Sequence, residues 1–425
     1  MSNHEITYNS RQRKLTIRNA SIFPQAAFAY SGMLEILDAS DNSFTSLPDN
    51  LSEFKNMRIA FLSGNKFRTI PKVLAGCTKL EMIGLKSCGI ESIDINSLPM
   101  SLRGLILTDN AITNIPADIN RLTRLQKLML TGNDLSTLPD TMCKLNNLEL
   151  IRVSGNRLER SSDMLSTMPN LAWFADSDNT FNATAINHTV DATFEWNDLT
   201  FMSKLGESSK NTVHAAKTTG GKEIAVKLFG DGITTDGSSD NDVRVSLMAG
   251  DHPNLIGGLG RLVNAPNNQQ GLIMPIIPAS YKTLGLPPDL YELTRDGYVS
   301  GQRFSMSFVM NVARDIAAAL KHLHSKGIMH GDVYAHNILT ALDGASVLGD
   351  FGAATIYPIN DPSQQWREQF DVLGYGRLLF ELLERSEPTN SDKSTYLAIH
   401  DITSRCMSPV PSQRLSFGAV CRFLD

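Results

Sequence analysis

The sequence has few cysteines and no long hydrophobic run. Its five cysteines, Cys77, Cys88, Cys143, Cys406 and Cys421, are scattered and form no Cys-x-x-Cys pair, so they are expected to be free thiols in a reducing compartment. No stretch is apolar over the length that a membrane span requires. The first residues are polar and charged where a secretory signal needs an apolar core. These absences predict a cytoplasmic protein without a membrane span.

An excess of basic residues is also missing. Lysine and arginine total 39 against 44 aspartate and glutamate residues, and the net charge is −5 at pH 7. A protein that coats nucleic acid takes much of its affinity from basic side chains that neutralise phosphates, so this class is not expected. A hydrophobic content of 42% nevertheless allows sizeable cores. Because 425 residues exceed one ordinary core, we expect two domains, or one domain and a repeat array.

A pattern of the form LxxLxLxxN recurs from about residue 34 to residue 179. Its asparagine column repeats every 22 or 23 residues, and an aliphatic-proline pair follows the column in four copies. Such periodicity predicts stacked units that share one core, in which each unit contributes a short strand and the buried asparagine satisfies backbone groups at the turn. Asn19 lies one period before Asn42, which predicts a degenerate capping unit. The column comprises Asn42, Asn65, Cys88, Asn110, Asn133, Asn156 and Asn179.

This array resembles the leucine-rich-repeat family, and the resemblance implies an α/β solenoid of horseshoe form. Strand alternation then places a second set of side chains on the concave face, and that set is unusually apolar. A solvent-exposed stripe of this kind predicts a docking surface for another protein or for the chain's own second domain. The alternative is that several of these side chains shield one another. The concave stripe comprises Ile36, Ile59, Phe61, Met82, Ile106, Met129, Leu150 and Trp173.

The repeat pattern stops after Asn179, and the small, polar stretch that follows is typical of a linker. We therefore predict a repeat domain with its cap over residues 1–181, a linker over residues 182–193 and a second domain over residues 194–425. The motifs that indicate chemistry all lie in the second domain.

Two of these motifs are neighbours in sequence. LHSKGIMHGDVYAHNIL occupies residues 323–339, and VLGDFGAAT follows at residues 347–355. In spacing and order they resemble the catalytic loop and the Asp-Phe-Gly string of the eukaryotic-type protein kinase family. The resemblance implies that Asp332 accepts the proton of the substrate hydroxyl, while Asn337 and Asp350 hold the metal ion.

The same resemblance implies a two-lobed α+β kinase fold, with lobes over residues 194–278 and 279–425. Its implied cofactors are ATP and Mg²⁺, or alternatively Mn²⁺. Lys227, in the alternating strand EIAVKLF, matches the family lysine that contacts the α- and β-phosphates and joins Asp332 and Asn337 in the predicted catalytic set. The predicted cofactor-binding residues are Leu205, Gly206, Val213, Ala225, Lys227, Met274, Ile276 and Leu339.

Several positions depart from the family pattern on the nucleotide side. Ser208 and Asn211 stand where the phosphate-binding loop of the family has glycines, which predicts hindered approach of the backbone to the phosphates and a modest affinity for ATP. The acid that should pair with the lysine is displaced, because the nearest candidate, Asp242, lies one residue out of the expected helical register. Either Asp242 pairs with Lys227 at a shorter reach, or it is only a first-turn helix acid.

Other departures lie beside the catalytic aspartate. Gly331 replaces the arginine that reads a phosphorylated activation loop in the family, so control by loop phosphorylation is not expected. Tyr334 replaces a lysine near the γ-phosphate, and His336 could restore that positive charge only when it is protonated. Asp371 matches the buried acid that steadies the catalytic loop in the family.

These features favour a protein kinase that transfers the γ-phosphate of ATP to a protein, with the repeats recruiting the substrate or a partner. Because the catalytic loop lacks the Ala-Ala-Arg pattern of tyrosine-specific relatives, the predicted acceptor is Ser or Thr. The alternative is a pseudokinase, a nucleotide-binding scaffold whose main role is protein binding by the repeats. Its support is the altered glycine loop, the displaced acid and the missing lysine, and the retention of Lys227, Asp332, Asn337 and Asp350 opposes it. In a third hypothesis the repeats recognise a partner and the kinase-like half docks on their concave face.

Overall fold

The structure is a computed structural model that describes residues 4–185, 192–208 and 210–425. Within these residues the chain forms two compact units. The first unit spans Met1–Leu171 and Asn179–Phe181, and the second spans Ala172–Asp178 and Asn182–Asp425. Much of the predicted linker lies outside the described residues. Ala172–Asp178 belongs by sequence to the last repeat, yet the structure groups it with the second unit.

The first unit is built on one sheet of short strands. Its strands are β1 (Glu5–Asn9), β2 (Lys14–Arg18), β3 (Ile36–Asp38), β4 (Ile59–Phe61), β5 (Met82–Gly84), β6 (Gly104–Ile106), β7 (Lys127–Met129) and β8 (Leu150–Arg152). An antiparallel hairpin of β1 and β2 starts the sheet, and β2 to β8 pair in parallel order. The middle residue of each three-residue strand, such as Leu37 or Leu105, is fully buried. The hairpin therefore supplies the predicted N-terminal cap.

The chain returns between these strands through 3₁₀ helices. In four repeats the proline of the aliphatic-proline pair is the residue just before the 3₁₀ helix, with extended backbone angles. Proline fits there because the first turn of a helix leaves backbone N–H groups unbonded in any case. The 3₁₀ helices are Gln25–Tyr30, Asp49–Glu53, Lys72–Gly76, Ile95–Ser97, Ala117–Arg121, Asp140–Lys144 and Asp163–Thr167.

The asparagine column forms a ladder of hydrogen bonds. The Oδ1 atom of Asn133 accepts the backbone N–H of Ile112 at 3.1 Å, and its Nδ2 donates to the carbonyls of Leu107 and Leu130 at 2.9 Å. Cys88 keeps part of this pattern, because its thiol lies 3.4 Å from the carbonyl of Leu62. The predicted role of the column in satisfying backbone groups is confirmed.

The concave stripe is not an exposed surface, so that part of the prediction is wrong. Six of its side chains are buried, and only Phe61 and Ile106 are half-buried. Side chains in the same register on neighbouring parallel strands, such as Ile36, Ile59 and Met82, lie about 5 Å apart and reduce one another's exposure. A docking role for the stripe remains a prediction.

Part of the second unit is a six-stranded sheet with one helix. Its elements are β10 (Thr193–Glu195), β11 (Leu199–Glu207), β12 (Asn211–Thr218), β13 (Glu223–Phe229), α1 (Ser239–Ala249), β14 (Gly260–Val263) and β15 (Gly271–Met274). The strand order is β10-β14-β15-β13-β12-β11. Alternation along β13 buries Ile224, Val226 and Leu228 in one small core. The same alternation places Ala225 and Lys227 on the opposite face, along the cavity described below.

The remaining part of the second unit is mainly helical. Its longest helix, α2, begins after Ser305, whose hydroxyl accepts the N–H of Phe308 at 3.2 Å. Val309, Val312 and Ile316 are spaced three or four residues apart, and all three are fully buried. The elements are β16 (Lys282–Thr283), α2 (Met306–Ser325), β17 (Ile328–Met329), β18 (Ile338–Thr340), β19 (Ser346–Leu348), β20 (Thr355–Ile356), α3 (Glu368–Glu384), α4 (Lys393–Cys406) and α5 (Phe417–Leu424).

Two short strand pairs bring the sequence motifs together. The catalytic-loop motif runs from β17 to β18, and Asp350 lies between β19 and β20. Because β17 pairs with β20 and β18 pairs with β19, the two connecting loops lie side by side. Across the described residues, no helix combines the length and apolar character that crossing a bilayer requires.

Candidate active site

A cavity of about 660 Å³ lies beside the free face of β13. Its walls include the predicted cofactor-binding residues Ala225, Val213 and Leu339 as well as Lys227 and Asp350. Ile276, which was predicted to line it, is not among the lining residues in the described chain, whereas Ile277 is. The segment continues along the cavity, because Pro275, Pro278 and Ala279 line it as well. The predicted residues that do line the cavity are Leu205, Gly206, Val213, Ala225, Lys227, Met274 and Leu339.

Lys227 lies between two carboxylates at the inner end of this cavity. Its Nζ is 2.6 Å from Oδ2 of Asp242 and 3.5 Å from Oδ1 of Asp350. The hydroxyl of Ser246, one turn along α1, donates to the other oxygen of Asp242 at 3.3 Å. Of the two alternatives that the sequence left for Asp242, the structure contains the ion pair with Lys227.

The charges of these groups follow from their surroundings. Burial alone would lower the pKa of Lys227, but Asp350 and Asp242 outweigh burial and raise it above its usual value. Lys227 in turn holds the pKa of Asp350 below the usual range, while burial raises the pKa of Asp242. Since the Asp350 side chain is 56% exposed and that of Asp242 only 6%, Asp350 is the carboxylate available to a ligand.

Asp332 and Asn337 are joined within the catalytic loop. The Nδ2 atom of Asn337 donates to Oδ2 of Asp332 at 2.8 Å and to its backbone carbonyl at 3.0 Å. The backbone N–H of Gly349, next to Asp350, donates to the carbonyl of Asn337 at 3.0 Å. Among the described residues that line the cavity, neither Asp332 nor Asn337 is found. Both side chains are half-buried.

The donor set suits a magnesium ion that also binds phosphate. Magnesium prefers oxygen ligands and is commonly held by one or two protein groups together with substrate phosphates and water. Asp350 offers a carboxylate, and Asn337 offers an amide oxygen once its Nδ2 is used by Asp332. No group of three or more His, Cys, Asp or Glu side chains in the described chain could hold a metal alone. The residues present therefore fit a metal that arrives with a nucleotide.

Asp371 fixes the backbone of the catalytic loop. This fully buried carboxylate accepts the backbone N–H of His330 at 2.7 Å and that of Gly331 at 2.8 Å. Its Oδ2 also lies 2.9 Å from Nε2 of His324, at the end of α2. The prediction that Asp371 steadies this loop is confirmed.

The turn between β11 and β12 has side chains in place of glycines. The backbone N–H of Ser208 donates to the carbonyl of Asn211 at 2.8 Å, and the Ser208 hydroxyl accepts the N–H of Asn211 at 3.1 Å. Both residues line the cavity, and Ser209 lies outside the described residues. Ser208 and Asn211, which are predicted to hinder the approach of the backbone to the phosphates, therefore both line the cavity.

Sequence reasoning missed Asp296, a buried partner of the catalytic loop. Its carboxylate lies 2.6 Å from Nδ1 of His336 and accepts the backbone N–H of Ala335. Burial alone would lower the pKa of His336, but the hydrogen bond and charge of Asp296 raise it. Asp296 lies in an irregular segment before α2, where no local pattern distinguishes it from a surface acid. Only the presence of His336 in the motif indicated that a partner was needed.

Gly331 and Tyr334 are explained by a segment far away in the sequence. Gly331 has a φ of +71°, and a Cβ there would lie 2.3 Å from the carbonyl oxygen of Phe174. The ring of Tyr334 stacks on Trp173 with centroids 4.2 Å apart. The arginine and lysine expected at these positions are therefore replaced by residues that accommodate Ala172–Asp178, the segment grouped with this unit.

Two family models match the sequence. The model described as protein tyrosine and serine/threonine kinase matches residues 199–372. The model described as leucine rich repeat matches residues 100–158. The first match covers Lys227 and both catalytic motifs, and the second covers the regular central repeats.

Curated relatives agree with these matches. A probable serine/threonine-protein kinase of Dictyostelium discoideum is 27% identical over 212 residues, which is 46% of this chain and 12% of the relative. The probable serine/threonine-protein kinase glkA of the same organism is 27% identical over 165 residues, 38% of this chain and 31% of the relative. Serine/threonine-protein kinase A-Raf of Homo sapiens is 32% identical over 115 residues, 21% of this chain and 19% of the relative.

Each of these matches thus spans less than a third of the relative's own length. The names of these relatives agree with the kinase model that matches residues 199–372. Residues 199–372 thus belong to a domain of the protein tyrosine and serine/threonine kinase family, and residues 100–158 are leucine-rich repeats.

Proposed function

We propose that this chain is an ATP-dependent protein kinase that transfers the γ-phosphate of ATP to a serine or threonine of a protein. The observation that carries the proposal is the position of Lys227, paired with Asp242 and close to Asp350 at the inner end of the cavity. This arrangement presents one ammonium group and one accessible carboxylate to whatever enters. A triphosphate with its metal ion is the ligand that needs both charges.

The adenine base would lie among the apolar side chains of Val213, Ala225 and Leu339 along the cavity wall. Lys227 would contact the α- and β-phosphates. Asp350 and Asn337 would hold Mg²⁺ or Mn²⁺, which neutralises charge on the transferring phosphate when bound.

Asp332 is the proposed acceptor of the substrate hydroxyl proton. Its carboxylate is oriented by the Nδ2 of Asn337, and the backbone on its N-terminal side is held by Asp371. His336, which Asp296 keeps protonated to higher pH, supplies a positive charge in the loop where Tyr334 replaces the family lysine. Each of these groups orients or holds charge, which is the main work of protein in phosphoryl transfer.

Serine or threonine specificity is supported by the names of the relatives, which are serine/threonine-protein kinases, and by the loop sequence. The repeats would recruit the protein substrate and raise its effective concentration near Asp332. The second candidate is a pseudokinase that binds nucleotide without transferring phosphate. It is favoured by Ser208 and Asn211, which replace glycines along the cavity.

Phosphate transfer from labelled ATP by the purified full chain, with Mg²⁺ or Mn²⁺, tests the proposal. Lys227→Met and Asp350→Asn should each lower transfer about 100-fold or more, because each removes a charge that faces the phosphates. Lys222→Met, at an exposed lysine before the same strand, is the matched control and should retain activity. Nucleotide binding without transfer, at equal background in parent and variants, would favour the pseudokinase.

A further inference from the structure

The segment Ala172–Asp178, called the clamp segment here, contacts the catalytic loop within the second unit. It includes β9 (Trp173–Ala175). The indole N–H of Trp173 donates to the carbonyl of Val333 at 3.2 Å, and its ring stacks on Tyr334 with 7° between the ring planes. The carbonyl of Phe174 occupies the space above Gly331. Contacts thus reach the residues on both sides of Asp332.

A second contact connects the clamp segment to the start of α3. Two nitrogens of the Arg367 guanidinium donate to the two carboxylate oxygens of Asp176 at 2.8 and 2.7 Å. Neither side chain has any solvent exposure. A bidentate pair of this kind admits one relative orientation of its two partners. Asp371, which holds the catalytic loop, lies one turn further along α3, so the ion pair fixes the helix next to that support.

A third contact connects the clamp segment to helix α1. Asp178 accepts the hydroxyl of Ser238 at 2.6 Å and a guanidinium nitrogen of Arg244 at 3.0 Å. Ser238 is the N-cap residue of α1, and Arg244 lies two residues after Asp242. The helix that supplies the partner of Lys227 is therefore held at two points.

The clamp segment leaves the cavity open. None of its residues is among those that line the cavity in the described chain. Asp332 and Asn337 remain half-buried rather than covered, although their neighbours Val333 and Tyr334 are buried. The contacts therefore hold the loop without lining the cavity, which favours positioning over occlusion.

We propose that the clamp segment positions the catalytic machinery: Trp173 orders the catalytic loop, and Asp178 holds α1 so that Asp242 reaches Lys227. This inference rests on the proposed kinase function. Gly331 lacks the side chain that would read a phosphorylated loop, and the contact with the clamp segment takes over the ordering. Trp173 and Asp178 are positioning residues that act through other groups.

Steady-state kinetics of full-length variants separate the two contacts. Trp173→Ala should lower kcat about tenfold or more with little change in KM for ATP, because it loosens the loop that carries Asp332. Trp173→Phe keeps an aromatic ring against Tyr334 and should retain most of kcat. Asp178→Asn should raise KM for ATP several-fold, because α1 carries the partner of Lys227. Asp240→Asn, at an exposed ion pair on the same helix, is the matched control.

Hydrogen exchange of the same proteins tests the inference independently of activity. Trp173→Ala should speed exchange in residues 328–337, and Asp178→Asn should speed it in residues 239–249, relative to Asp240→Asn. A parent chain without phosphate transfer would refute the proposed function, yet these local changes would still support positioning. Unchanged exchange in both segments would overturn the inference. A rise in kcat in Trp173→Ala would also overturn it, because the segment would then be inhibitory.

Discussion

Around Lys227 the site keeps the charged groups of the kinase family, whereas around Asp332 it replaces several of the family's residues. The nucleotide side, comprising Lys227, Asp242 and Asp350, retains an ammonium group between two carboxylates. The supporting side, comprising Gly331 and Tyr334 with the clamp segment, uses packing and backbone contacts that the family motif does not specify. Only a few types of side chain can bind a phosphate or a metal ion, whereas many different contacts can hold a loop in place.

The largest expected effect on stability lies on the supporting side. Asp176→Asn should lower the free energy of unfolding of the second unit by about 3 kcal/mol, because it leaves the buried guanidinium of Arg367 facing a neutral amide. Urea unfolding of the full chain measures this change. Asp240→Asn, which removes an exposed ion pair, should cost less than about 1 kcal/mol. Equal losses in the two variants would show that the clamp contact contributes no more than a surface pair, and the comparison would fail.

A smaller effect on the free energy of unfolding should depend on pH. Burial and the nearby charge of Asp296 raise the pKa of Glu381, whose carboxylate accepts the hydroxyl of Tyr298, to about 7. A raised carboxyl pKa means that the folded state binds the proton more tightly than the unfolded state. The stability from this group is therefore complete below the unfolded pKa of about 4.5 and is lost as pH rises towards about 7.

Glu381→Gln should remove this dependence, so the parent should lose about 1–2 kcal/mol more than the variant between pH 5 and pH 8. Urea midpoints at the two pH values give the difference. Glu384→Gln, at an exposed position on the same helix, is the control. A parallel decline in parent and Glu381→Gln would show that the pH dependence arises from other groups.

The smallest effect concerns the nucleotide side. Asn211→Gly should increase the affinity for ATP about threefold, because it removes a side chain from the turn where backbone amides approach phosphates. Isothermal titration with a non-hydrolysable ATP analogue measures the change. Thr219→Gly, in the exposed turn between β12 and β13, is the matched control. Unchanged or weaker binding in Asn211→Gly would show that this departure from the family does not hinder the nucleotide.

Much of the nucleotide side could be predicted from sequence because its residues sit in short motifs with fixed spacing. Lys227 is marked by alternation in one strand, and Asp350 by the string that follows the catalytic loop. The asparagine ladder was predictable for a similar reason, since each rung repeats after 22 or 23 residues. A repeat of this length arises because each unit contacts only its neighbours and contributes the same elements to a shared core.

The supporting side could not be predicted in the same way. Asp176 and Arg367 are 191 residues apart, and neither lies in a motif that indicates the other. Asp296 is equally unmarked within an irregular segment. Trp173 was assigned to the concave stripe from its repeat position, but a repeat register cannot reveal that the ring is used against Tyr334. Such contacts depend on how distant segments pack, which local patterns do not encode.

The position of the clamp segment in the chain determines where the protein can be divided. A fragment that starts at residue 182, where the repeats end by sequence, would contain the whole kinase match but lack Asp176. Its Arg367 charge would face an empty site, and the Phe370 ring would lose the edge contact with Phe174. A well-folded fragment of the catalytic half therefore has to start at or before Ala172. It then includes Ala172–Asp178, seven residues that a boundary drawn from the repeats would assign to the other half.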